Sequence, residues 1–157
     1  MQTPCSFFVR LLPLLLVAMA GCQSPKRVSQ PFTSALYSTG SDIEGKRFIA
    51  KLGGEALLAA PCWDLKHDQP PLAPGAAKRA AMKALSQTVA DMRKWKLEEI
   101  GLIQPFDGAL GADYWIYQIR FSGPKYKSPF GSDMGSMLNI LVLMSGEVIP
   151  LEAIHAE

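Results

Sequence analysis

From Tyr114 to Phe121 the chain alternates. Trp115, Tyr117, Ile119 and Phe121 fall on one side of an extended backbone, and Tyr114, Ile116, Gln118 and Arg120 on the other. Successive side chains of a strand point to opposite faces, so an aromatic and β-branched face must be laid on something apolar. This constrains the fold more than any other stretch, because it demands a sheet with a covered face. Met137 to Met144 follows as an apolar run, which predicts a central strand. Ser145-Gly146 is a two-residue hairpin signal, and Glu147 to Leu151 reads as the returning final strand. Pro150 puts the end of that strand at an edge or outside the ladder. Upstream, Trp95 to Ile103 is a further strand whose parity changes at Glu98-Glu99, the mark of a bulge.

The covering element is a helix from about Pro74 to Met92. Proline is tolerated at the first helical position because its missing N–H has no partner there. Ala77, Ala81, Leu85, Thr88 and Met92 recur at helical spacing as a buried stripe, with Arg79, Lys83 and Gln87 on the opposite face. The small residues at the start of the stripe let the helix lie close on a sheet. Before it, Pro61 to Gly75 carries Pro61, Pro70, Pro71 and Pro74, which exclude regular structure, with Trp63 and Leu72 as pins onto the core. Arg47 to Leu52 reads as a short strand, and Glu55 to Ala60 as one helical turn. From Gln23 to about Gly45 the chain is rich in Ser, Thr, Gly, Pro and Gln, which predicts a flexible spacer. The expected fold is α+β: one helix on a four-stranded antiparallel sheet, in the order α-β-β-β-β, as a two-layer sandwich with the odd-numbered face of Tyr114–Phe121 against the helix. The compact domain is expected over 61–157, after a spacer over 22–60.

The 157 residues suit one domain, with about half of them apolar. The first 21 read as an export signal: Arg10 as the positive region, Leu11 to Met19 as a short apolar core broken by Pro13, and small Ala20 and Gly21 before a cut. Removing them takes away only Arg10 and leaves a nearly neutral chain, which argues against a nucleic-acid partner. Met19-Ala20-Gly21-Cys22 resembles the bacterial lipobox. That resemblance implies a diacylglyceryl thioether on Cys22, an often acylated new amino terminus, and a permanent membrane tether. Gln23 stands where an Asp often signals inner-membrane retention, so the resemblance favours the outer membrane, facing the periplasm. The alternative is an ordinary secretory signal and a soluble product. With Cys5 in the leader and Cys22 lipidated, Cys62 is left over, and no internal disulfide is expected.

Ala77–Met92, Tyr114–Phe121 and Leu138–Val148, the last containing Val142-Leu143-Met144-Ser145-Gly146-Glu147-Val148, resemble the cystatin-like group of small α+β folds, including bacterial envelope modules of the PepSY kind. The customary acidic residue before the turn is replaced near Met144, and the Gln-x-Val-x-Gly inhibitory loop of cystatins is absent. Protease inhibition therefore does not carry over.

Little in the sequence points to chemistry. Cys62, Asp64 and His67 are neighbours, but their spacing fits no zinc pattern, and His155 is the only other histidine. Glu98 and Glu99 point to opposite faces of a regular strand and make no acid–base pair unless the bulge turns them together. No Walker, dinucleotide or Gly-x-Ser-x-Gly pattern is present. No catalytic residue, metal or cofactor is expected. Two loops stand out, Gln104–Ala112 and Ser122–Ser136. The second is long for a hairpin connection and sets Tyr126, Phe130 and Met134 among Gly, Ser and Pro, with Lys125 and Lys127 beside Tyr126. Aromatic residues in a polar loop serve as binding anchors. The expectation is a non-enzymatic envelope module that binds a protein or peptide through Tyr126 and Phe130 and through an exposed face near Tyr114, Ile116 and Arg120. A structural subunit docking by a sheet edge is the alternative.

Overall fold

The computed structural model describes residues 35–67, 69–105 and 113–154. The leader, the lipobox with Cys22, most of the Gln104–Ala112 loop and His155 lie outside the described residues.

Two strands come first. β1 (Tyr37–Ile43) and β2 (Lys46–Leu52) pair antiparallel from Tyr37↔Leu52 to Ile43↔Lys46. They turn through Glu44-Gly45, both at positive φ (52° and 86°), as a two-residue hairpin turn that matches strand twist requires. The Gly45 N–H donates to Asp42 Oδ1 at 3.0 Å, which closes the turn. A short helix α1 (Gly54–Ala59) and the Pro-rich strap lead to α2 (Pro74–Thr88). Then come one 3-10 turn (Met92–Lys94), β3 (Lys96–Ile103), β4 (Ile116–Lys127), β5 (Asp133–Leu143) and β6 (Leu151–Ala153). The six strands form one antiparallel sheet in the order β3-β4-β5-β1-β2-β6.

The α+β class, the single long helix and the central place of Met137–Met144 agree with the sequence; the strand count does not. β1 and β2 lie before the helix: β2 is the short strand read at Arg47–Leu52, whereas β1 falls in the stretch whose composition predicts a spacer, and it sits between β5 and β2. Position in the sheet, not composition, makes β1 a strand. Its Thr39, Gly40 and Ser41 are small and leave room for Gln118 and Asn139, which bind them. The final strand also differs. Glu147–Leu151 makes only an isolated bridge, Val142↔Val148, before Pro150 interrupts pairing. The chain then crosses to the far edge, where β6 pairs with β2.

The sheet is covered on both faces. On one, Ala77, Ala81 and Leu85 of α2 pack on Tyr117, Ile119 and Phe121 of β4 and on Leu138, Ile140 and Val142 of β5. The odd-numbered face of β4 thus meets the helix as its alternation predicts. The helix ends at Thr88, before Met92, because Val89 is extended and Asp91 instead caps the 3-10 turn, accepting from the Arg93 N–H. On the other face, Leu57 of α1 packs with Ala50, Leu52, Ile116, Leu141 and Leu143. The strap is pinned by Tyr117, whose hydroxyl donates to the Leu72 carbonyl at 2.8 Å, and by Trp63, edge-on to Trp115 at 5.6 Å. Cys62, within the strap, is disulfide-bonded, which corrects the expectation of no internal bridge. Its partner lies outside the described residues.

Candidate functional site

The Ser122–Ser136 stretch is not a loop. β4 and β5 run on past the body of the sheet as a two-stranded arm, paired as Lys125↔Gly135, Tyr126↔Met134 and Lys127↔Asp133. The register shifts between Ser122 and Lys125, where Gly123 and Pro124 stand opposite Ser136. Proline cannot donate to the ladder, so its presence hides the strand pattern from a sequence reading and marks a bulge instead. Gly123 is required there: a Cβ would lie 2.6 Å from Cζ2 of Trp95.

The arm is ordered by local bonds. The Ser128 N–H donates to the Ser132 carbonyl at 2.9 Å, the Gly131 N–H to the Ser128 carbonyl at 2.9 Å, and the two serine hydroxyls lie 2.7 Å apart. Gly131 takes φ 81°, which a side chain resists. Lys127 Nζ and Asp133 Oδ1 pair across the strands at 2.7 Å. At the base, the Glu44 N–H donates to Ser136 Oγ at 3.0 Å, and the Tyr126 ring lies against Gly45. Loss of hydration first, and the Asp42 carboxylate second, hold the Tyr126 phenol above its ordinary pKa. Tyr126 is therefore a half-buried brace. Phe130, at the tip, is 95% exposed, with Met134 behind it at 45%.

The other two candidates lie elsewhere. Tyr114 precedes β4 and packs in the second core, beneath which Ile116 is fully buried. The face expected to be exposed near Tyr114 and Ile116 is thus covered by α1, whose burying role was not visible in so short a segment. Tyr114 and Phe130 flank opposite ends of β4, whose twelve residues span roughly 40 Å at about 3.3 Å each. Arg120 sits between them in a polar network. Its Nε donates to Asn139 Oδ1 at 3.3 Å, and its guanidinium pairs with Glu99 at 3.0 Å. Gln118 accepts from Tyr37 Oη at 2.8 Å. The bulge between Leu97 and Glu99 brings the two glutamates to one face after all: Glu98 binds the Ser122 hydroxyl, and Glu99 binds Arg120, two residues away on β4.

Asp64 and His67 serve the strap. Asp64 accepts the Lys66 N–H through Oδ1 and the His67 N–H through its carbonyl, while the His67 carbonyl takes the Trp63 indole N–H. Among the described residues no group of three or more His, Cys, Asp or Glu is placed to hold a metal.

One concave feature was missed. A groove of about 490 Å³ runs beside α2, with Ala80, Lys83, Ala84, Gln87 and Thr88 on one wall and Phe48, Val148 and Leu151 among the residues of the other. Ala80 and Ala84 were the available signal, small residues flanking the buried stripe. Without β2 and β6 in the sheet there was no second wall to place.

No family model matches the chain, and neither the curated proteins nor the solved structures contain a match to it.

Proposed function

We propose that this protein is a lipid-tethered, non-enzymatic binding module of the bacterial cell envelope, and that the β4–β5 arm is its contact element. The exposure of Phe130 at the tip of an internally bonded arm is the observation that carries the reading. An aromatic ring held in water by a pre-ordered turn offers a partner apolar area at little ordering cost. Lys125 stands exposed on the same arm, which suits an acidic or polar envelope protein or peptide. Tyr126 contributes by holding the arm's base. Arg120 and Tyr114 are not contacts in this reading: the first holds the sheet's polar face, the second the core. The likeness to cystatin-like, PepSY-type modules belongs to the same proposal and is supported by a helix lying across an antiparallel sheet. The β1–β2 hairpin ahead of the helix is where this chain departs from the expected order.

The test of the contact element is co-purification from native membranes with Phe130→Ala. Loss of the recovered partner is expected; unchanged recovery overturns the assignment. The tether has its own test. Cleavage before Cys22 removes Cys5 and a thioether uses the Cys22 sulfur, so the tether and an internal bridge at Cys62 exclude each other, and the tethered form is a state without that bridge. Palmitate labelling that is lost in Cys22→Ser supports the lipid. A Cys22–Cys62 peptide from membrane-extracted protein, mapped without reduction, overturns it.

A further inference from the structure

The groove beside α2 has features that neither the arm nor the tether uses. Helix α2 crosses β4 and β5 and stops short of the β1–β2 hairpin, so the space between helix and hairpin is open. Ala80, Ala84, Phe48, Val148 and Leu151 line it, and all five are only half-buried although apolar. Ile140 of the central strand, which is buried, also lines it. The polar groups stand on the α2 wall: Gln87, Thr88 and Lys83. Among the described residues Lys83 is the one charged residue in the lining, it is exposed, and it makes no ion pair. On β6, Glu152 is engaged by Lys51 at 2.7 Å.

A second cleft of about 280 Å³ adjoins the groove and shares Phe48 and Thr88 with it. That cleft carries Glu44 and Asp91 against Lys46 and Lys94, so its charges cancel and Lys83 alone gives the trough a sign. An apolar trough with one cation at its rim is complementary to a molecule with one anionic head and one apolar tail. Its volume lies within the roughly 300–1,000 Å³ of small-molecule sites. A phosphate dianion would leave charge unmatched by one lysine, and a cation would find no acid among the described lining residues.

We propose that this groove binds a fatty-acid-type monocarboxylate, with the acyl chain along Ala80, Ala84 and Phe48 and the carboxylate on Lys83. The site is separate from the arm and does not depend on what the arm binds. The test is calorimetric titration of the full mature chain with dodecanoate, below the concentration at which it forms micelles. Saturable binding at one molecule per chain is expected. Ala84→Trp, which fills the groove from the exposed side of the helix, abolishes it. Lys83→Met weakens dodecanoate by roughly threefold to fivefold, the ratio for one charge pair at a solvent-open rim, and leaves dodecanol unchanged. Thermal unfolding of both variants within a few degrees of the parent shows that the fold is intact. No saturable binding to the parent overturns the proposal. So does binding that survives Ala84→Trp, since it would then lie elsewhere.

Discussion

Ser41 Oγ stands between the two backbone polar groups of Asn139, accepting from its N–H at 2.9 Å and donating to its carbonyl at 3.4 Å. Both residues are buried. Backbone pairing between β1 and β5 is confined to Asp42↔Met137, so a serine side chain supplies bonds that a regular ladder would make from backbone to backbone. The Asn139 amide returns the favour by donating to the Gly40 carbonyl at 2.7 Å. The β1–β2 hairpin is thus joined to the rest of the sheet largely through side chains. The hairpin carries Tyr37, Ala50 and Leu52 into one core and Ile43 against the other.

Ser41→Ala leaves a buried N–H and carbonyl without their partner. The expected loss is about 1–3 kcal/mol, the penalty for an unsatisfied buried polar group. Urea unfolding measures it, and a loss below about 0.5 kcal/mol would show that the junction is held by something else.

Gly123→Ala drives a methyl into the Trp95 ring, 2.6 Å from the nearest ring carbon. Overpacking of this kind costs about 1–3 kcal/mol. Trp95→Leu in the same chain relieves the clash, so a double-mutant cycle returns a favourable coupling between the two sites. Additive losses would mean that the glycine is not there to admit the indole.

Stability falls in alkali through Tyr117. Burial raises its phenol above the ordinary 10.0. As pH rises past 10, the unfolded chain gives up a proton that the folded chain keeps, so the unfolding free energy declines with pH. The contribution is complete below that pH and is lost as pH rises through the higher folded value. Tyr117→Phe flattens this decline. It also lowers stability at neutral pH by about 1 kcal/mol, because the Leu72 carbonyl loses its donor. Denaturant midpoints at pH 7 and at pH 10.5–11 check both signs, with the shift of Tyr126 in the same direction as background.

Phe130→Ala leaves the unfolding midpoint unchanged within about 0.5 kcal/mol, since the ring buries almost nothing. Glu99→Gln weakens a half-exposed ion pair and costs under about 1 kcal/mol. A larger effect of Phe130→Ala, seen by thermal melting, would mean that the ring supports the arm rather than a partner.

What was legible locally came from periodicity. Tyr117, Ile119 and Phe121, the run from Leu138 to Met144 and the stripe at Ala77, Ala81 and Leu85 are buried as their patterns predict, whereas Ile116 is buried on the side expected to be exposed and Met137 and Thr88, expected to be buried, are exposed. The parity break at Glu98-Glu99 is the observed bulge. What sequence could not supply was the partner of each backbone. Residues 37–43 have the composition of a linker, yet β2 and the Ser41–Asn139 exchange give their polar groups bonds that no local pattern encodes. Gly123 and Pro124 read as loop residues, yet the register resumes beyond them and carries Phe130 outward. The sequence by itself determined the class, the helix and the central strands, because burial writes a period into neighbouring residues. Only the tertiary structure decided the order of the sheet, the arm and the groove, because these depend on hydrogen bonds and walls from residues far apart in the chain.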